Sequence, residues 1–137
     1  MDIRKWTMAG GMALAVLVGM WGTDLASAQA PAGFKRVELQ RHDLGVKDRE
    51  AVTARGEFQP GAAVPKHTHP GEEVGYVLEG ELTVEVEGSP AKTLKAGDSF
   101  FIPAGQVHSA KNASAAAANV LSTYIVEKGK PLATPVK

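Results

Sequence analysis

The sequence predicts an all-β domain, either a closed barrel or a two-sheet sandwich, behind a cleavable leader. Three observations lead there. Short apolar or alternating runs recur through the chain, each bounded by glycine or proline, as in strands joined by turns. Downstream of the leader no long stretch carries the periodicity of an amphipathic helix. The cleanest run, Glu81–Glu87 (ELTVEVE), puts Leu82, Val84 and Val86 on one face and Glu81, Thr83, Glu85 and Glu87 on the other, so one face is buried and the other wet.

Taken in order, the chain opens with Arg4 and Lys5, an apolar run from Met8 to Trp21 and the small-x-small ending Ala26-Ser27-Ala28. That is the pattern of a secretory signal peptide, residues 1–28, cut after Ala28; Ala30 is a poorer site because Pro31 would follow the cut. The apolar run is shorter than the roughly 20 residues a membrane-spanning helix needs, so the expectation is a secreted or periplasmic protein without a stable membrane anchor. Residues 29–49 read as a linker and an edge strand, with Phe34–Leu39 the strand and His42, beside Arg41 and Asp43, a solvated surface residue. Glu50–Gln59 reads as a strand leading to the turn Pro60-Gly61. Its Arg55 is an outward charge on this reading, the alternative being an inward fork of donors for an anionic substrate.

The barrel proper is expected over residues 50–126. Glu72–Leu78 is strand-like and ends at Glu79-Gly80, a hairpin-type turn. Lys92–Lys95 and Ser99–Ile102 are short strands, the alanine-rich Ala113–Ala118 is a loop between strands, and Val120–Val126 closes the sheet. Residues 127–137, with two prolines and three lysines, read as a frayed tail.

Composition narrows the function. The 137-residue chain has 15 basic and 15 acidic residues and no cysteine. No basic cluster of the kind that displaces counterions from nucleic acid is present, so a nucleic-acid partner is not expected. Without cysteine there are no disulfides, thiol ligands or cysteine nucleophiles. A mature chain of about a hundred residues buries a limited fraction of its surface, which favours association with a second copy.

The residues that carry chemistry lie in two runs. In Gly61–Gly80 (GAAVPKHTHPGEEVGYVLEG), His67 and His69 are two apart, and in an extended strand such residues project from one face, so both imidazoles point into one cavity. After the Pro70-Gly71 turn, Glu72 or Glu73 can swing back toward them. In Gly97–Asn112 (GDSFFIPAGQVHSAKN), a short strand and the turn Pro103-Ala104-Gly105 lead to His108. Three histidines and a carboxylate suit Mn, Fe, Co, Ni, Cu or Zn better than Ca or Mg, which prefer oxygen-only sites. Phe58, Tyr76, Phe100, Phe101 and Tyr124 are available as core or pocket lining.

Gly61, His67, His69, Glu73 and Gly80, followed by Gly97, Pro103, Gly105, His108 and Asn112, resemble the paired signature motifs of the cupin superfamily, with every spacing kept. The resemblance spans roughly residues 50–126. It implies a jelly-roll, or double-stranded β-helix, barrel that is commonly dimeric. It selects Glu73 over Glu72 and implies His67, His69, Glu73 and His108 as ligands of one divalent metal, Mn or Fe before the others. Four ligands leave positions open on a six-coordinate ion, so small-molecule chemistry of dioxygenase type on an oxygen-rich substrate is implied, with Glu73 also able to act as a base. A non-catalytic module that binds or senses a metal or metabolite is the alternative, because the fold alone does not fix an activity.

Overall fold

The computed structural model describes residues 30–137; the signal peptide expected over residues 1–28 lies outside them. The described residues form ten strands and no helix: β1 (Phe34–Asp43), β2 (Arg49–Phe58), β3 (Ala63–Thr68), β4 (Gly71–Glu79), β5 (Glu81–Val86), β6 (Lys92–Lys95), β7 (Ser99–Ile102), β8 (His108–Lys111), β9 (Ala118–Glu127) and β10 (Thr134–Pro135). They make two five-stranded sheets, ordered β1-β2-β9-β4-β7 and β10-β3-β8-β5-β6. Every pairing is antiparallel.

The architecture is the double-sheet jelly roll. Only β1–β2 and β5–β6 are hairpins within one sheet; every other connection up to β9 carries the chain from one sheet to the other. This corrects the reading of Glu79-Gly80 as a hairpin turn. Strand β4 pairs with β7 and β9, and β5 with β6 and β8, so Gly80 turns the chain across the barrel wall. Its φ of +75° suits glycine, and a Cβ there would lie 2.4 Å from the Ala117 carbonyl oxygen. At Gly75 a Cβ would fall 2.0 Å from the Phe100 ring, so the bare backbone lets that ring lie across β4.

The core has two parts. One holds Phe58, Ala62, Val77, Leu82, Val84, Ile102, Ala118 and Val120; the other holds Val52, Ala54, Tyr124 and Val126, with Leu132 packed against it. Strand β5 buries Leu82 and Val84 as its alternation predicts, and Val86 is half-buried. Asn112, 1 % exposed, ties the β8–β9 loop down: its amide donates to the carbonyls of Phe58, Gln59 and Ala116, and its oxygen accepts from the Ser114 backbone and hydroxyl.

Two terminal segments differ from expectation. Strand β1 runs on to Asp43, with a bulge between Glu38 and Gln40 that breaks its alternation and leaves Leu39 half exposed. Residues 127–137 are not simply a frayed tail. Thr134 and Pro135 pair with Thr68 and His67, and Val136 N–H donates to the Lys66 carbonyl at 3.0 Å. Proline is tolerated because this is an edge strand, where its missing N–H breaks no ladder.

Candidate metal centre

The two sheets deliver the site between them. His67 on β3 and His108 on β8 are cross-strand partners in one sheet, and a bulge between Val64 and His67 precedes the pair. His69 follows the last residue of β3. Glu73 comes from β4 of the facing sheet, opposite Tyr124 on β9. The imidazole centroids lie 4.2 to 4.9 Å apart, and one nitrogen from each of the three rings falls within 4.8 Å of the others. Glu73 Oε2 is 3.1 Å from His69 Nε2 and 3.4 Å from His108 Nε2. His69, Glu73 and His108 are buried; His67 is half-buried on the open side.

The ring tautomers follow from the backbone. Each Nδ1 faces a carbonyl oxygen: Pro65 at 2.8 Å for His67, Leu132 at 2.5 Å for His69, Gln106 at 2.9 Å for His108. A carbonyl only accepts, so Nδ1–H donates in all three rings, and each Nε2 keeps a free lone pair.

The electrostatics then favour a shared positive charge at this point. Burial pushes the His67 pKa down to about 4, and the His108 and His69 rings act in the same direction. Burial raises the Glu73 pKa and the Ser122 hydroxyl lowers it; the facing His108 and His69 rings lower it too wherever a proton sits on Nε2. Ser122 Oγ donates to Glu73 Oε1 at 2.7 Å and fixes the carboxylate's rotation. His69 Nε2 is buried, 3.1 Å from a carboxylate oxygen, and makes no hydrogen bond. A buried anion facing nitrogen lone pairs is repulsive unless positive charge lies between them. A divalent transition metal fits that donor set of three imidazole nitrogens within 4.8 Å of one another and a carboxylate.

Beside the cluster lies a cavity of about 70 Å³. Its polar lining is His67, Glu73, His108, Ser122, Tyr124 and Arg36; the rest is mostly apolar, including Phe58, Leu82, Val84 and Phe100. Burial, and then the Glu73 charge, push the Tyr124 pKa above its ordinary value, so the phenol stays neutral. Its ring lies against His69 with centroids 4.8 Å apart.

The aromatic residues expected as lining therefore divide. Phe58, Phe100 and Tyr124 line the cavity, whereas Tyr76 and Phe101 point out from the first sheet and are exposed. Arg55 sits on the same outer face, paired with Glu57 at 2.7 Å, as its outward reading requires, and His42 is exposed on β1. Of the two arginines, Arg36 is the one that lines the cavity. Sequence reasoning missed Arg36, Ser122 and Leu132. For Ser122 a signal was present, since it is the polar residue on the inward face of Val120–Val126 between Val120 and Tyr124. For Leu132 there was none, because its contribution is a backbone carbonyl.

The cupin domain family matches residues 54–124. Germin-like protein subfamily 2 member 2 of Arabidopsis thaliana is 41% identical over 85 residues, which is 58% of this chain and 39% of that protein. An oxalate oxidase solved in complex with the substrate analogue glycolate superposes with a TM-score of 0.62 at 28% identity, over 76% of this chain and 55% of its own. An RmlC-like cupin from Shewanella frigidimarina does so with a TM-score of 0.58 at 31% identity, over 74% of this chain and 83% of its own. The chain thus spans less than half the length of the germin-like relative. With its family's domain matched across the strands that build the cluster, this protein belongs to the cupins.

Proposed function

We propose that the protein is an exported, metal-dependent cupin oxidoreductase that acts on a small, oxygen-rich carboxylate, with His67, His69, Glu73 and His108 holding one divalent metal, Mn or Fe. The observation that carries the reading is the meeting of three imidazole rings with a buried carboxylate at one point, where His69 Nε2 is left without a hydrogen bond. Similarity to an oxalate oxidase supports the oxidoreductase part. When bound, the metal would supply Lewis acidity and an electron-transfer partner for dioxygen beside a chelating substrate.

The chain's own residues do the rest. Ser122 holds Glu73 so that Oε2 faces the rings and can accept a proton from a bound substrate. Apolar walls exclude bulk water. Arg36, which has no ion-pair partner among the described residues, is available to the anionic end of a substrate. A cavity of about 70 Å³ suits a small molecule of a few heavy atoms.

The test is oxygen uptake by the Mn, Fe, Cu and Ni forms against small carboxylic acids, diketones and flavonols, after metal analysis of protein purified from its native compartment. Uptake with small acids and the Mn or Fe form is expected. No uptake with any metal would overturn the catalytic reading in favour of a binding or sensing module. That alternative has one observation behind it: beyond the four proposed ligands, Tyr124 and Arg36 are the only titratable groups lining the cavity.

A homodimer is part of the proposal. The outer face of the first sheet exposes Val74, Tyr76, Leu78, Phe101 and Ile125 together, where an antiparallel sheet ordinarily carries polar residues. Export rests on the leader pattern, and sequencing of the mature N-terminus, expected at Gln29, tests it.

A further inference from the structure

The three histidines are oriented by unlike means. His67 and His108 each donate Nδ1–H to a carbonyl two residues back in the chain, Pro65 within β3 and Gln106 just before β8, so each partner comes with the local backbone. His69 donates instead to Leu132, 63 residues away. Its Nε2 is buried without a hydrogen-bond partner, and its ring also lies against Tyr124.

The carbonyl of Leu132 is in turn held by three separate contacts. The Leu132 side chain packs on the cluster of Val52, Ala54, Tyr124 and Val126. Thr134 and Pro135 pair with Thr68 and His67, and Val136 N–H reaches the Lys66 carbonyl at 3.0 Å. Ala133, between these anchors, lines the cavity itself. The segment thus runs along the outer edge of the strand that carries His67, and its Leu132 carbonyl accepts from His69.

We propose that Leu132–Val136 is a clasp that positions His69 for the metal, so that docking of this segment and metal binding stabilise each other. Leu132 is a positioning residue acting through its carbonyl. Undocked, it leaves the His69 ring without its orienting partner, free to change tautomer and turn Nε2 away. Coupling of this kind is reciprocal: whatever factor the docked clasp adds to metal affinity, the metal adds to docking. Removing the outer partner of a metal-bound histidine costs 10- to 100-fold in affinity in typical sites, which sets the expected size.

The inference rests on the metal centre proposed above, and the experiment separates the two. Amide hydrogen exchange at Val136 is followed in the full chain with and without Co(II), and Co(II) affinity and visible absorption are measured for the parent, for Leu132→Ala and for Leu94→Ala. Leu94 is a partly buried residue packed on the other core cluster, away from the cavity, and controls for lost stability. The expected results are that Co(II) slows Val136 exchange tenfold or more, and that Leu132→Ala weakens Co(II) binding by about the same factor and shifts the absorption bands, while Leu94→Ala leaves affinity and bands unchanged. Exchange at Val136 that ignores the metal overturns the clasp, as does a folded Leu132→Ala protein with the parent's affinity and spectrum. Should Leu132→Ala fail to fold, the exchange result in the full chain decides alone. A parent that binds no Co(II) at all overturns the metal centre itself and the clasp with it.

Discussion

Strands β4 and β5 are joined by a single glycine and have opposite polarity. Strand β5 turns Leu82 and Val84 into the core and Glu81, Thr83 and Glu85 toward water. Strand β4 turns Glu73 inward, with Gly71, Gly75 and Val77, and shows Val74, Tyr76 and Leu78 to the outside. A strand that only holds a barrel together has no reason to bury a carboxylate and expose three apolar side chains. The difference separates residues selected for folding from residues selected for a ligand on one face and, as proposed, a second subunit on the other.

Glu73→Gln is the sharpest way to break that comparison. Ser122 can still donate to the amide oxygen, so the fold should persist, while oxygen uptake by the loaded protein falls by about 10²- to 10⁴-fold; full activity would remove Glu73 from the chemistry. On the partner strand, Leu82→Ala should cost about 2–5 kcal/mol of stability in denaturant titrations, because the side chain is 1 % exposed and a cavity would remain. Leu82 lines the cavity but offers no ligand atom, so metal affinity of the folded fraction should fall far less than it does on losing a ligand, and an equal loss would mean the two strands are not separable.

A smaller effect is expected outside the barrel. Tyr76→Lys places a charge in the exposed apolar face and should weaken self-association tenfold or more in sedimentation equilibrium, about 1.4 kcal/mol. Protomer stability should move by less than about 0.5 kcal/mol. A protein that sediments as a monomer before the substitution would refute the interface.

The least direct effect is on pH response. In metal-free protein the folded His67 takes up its proton near pH 4, against 6.5 for the free side chain, so between those values the unfolded chain binds more protons. Stability is therefore full above about pH 6.5 and is lost as pH falls toward 4. Melting temperatures of the parent and of His67→Asn should diverge above that window and converge below it, the parent being the one that changes more. A parallel pair of curves would mean His67 is not buried as a neutral ring.

Much of this was legible in the sequence because its signals are local. The period-2 alternation of Glu81–Glu87 fixes which side chains face inward, and the spacing of His67, His69, Glu73 and His108 is the imprint of strands meeting at one point. What stayed hidden depends on relations between distant segments. Nothing in Glu79-Gly80 distinguishes a hairpin from a passage between sheets, since both need a left-handed glycine; only the pairing of β4 with β9 decides. Prolines and lysines made 127–137 look frayed, yet edge pairing tolerates both, and Leu132 acts through an atom that every residue possesses. Arg36 was passed over because Arg55 lay nearer the motifs, while the bulge in β1 obscured which way its side chains face.

Asn112 has a consequence for producing the protein. Asn112-Ala113-Ser114 is an Asn-x-Ser acceptor sequence for N-linked sugar, yet the folded chain commits this amide to three carbonyls. In a eukaryotic secretory host, oligosaccharyltransferase and barrel closure would compete for one nitrogen. Any molecule glycosylated first could not seat that loop, so yield there should rise with Asn112→Asp or Ser114→Ala only as far as the lost tether permits, and a bacterial host avoids the contest.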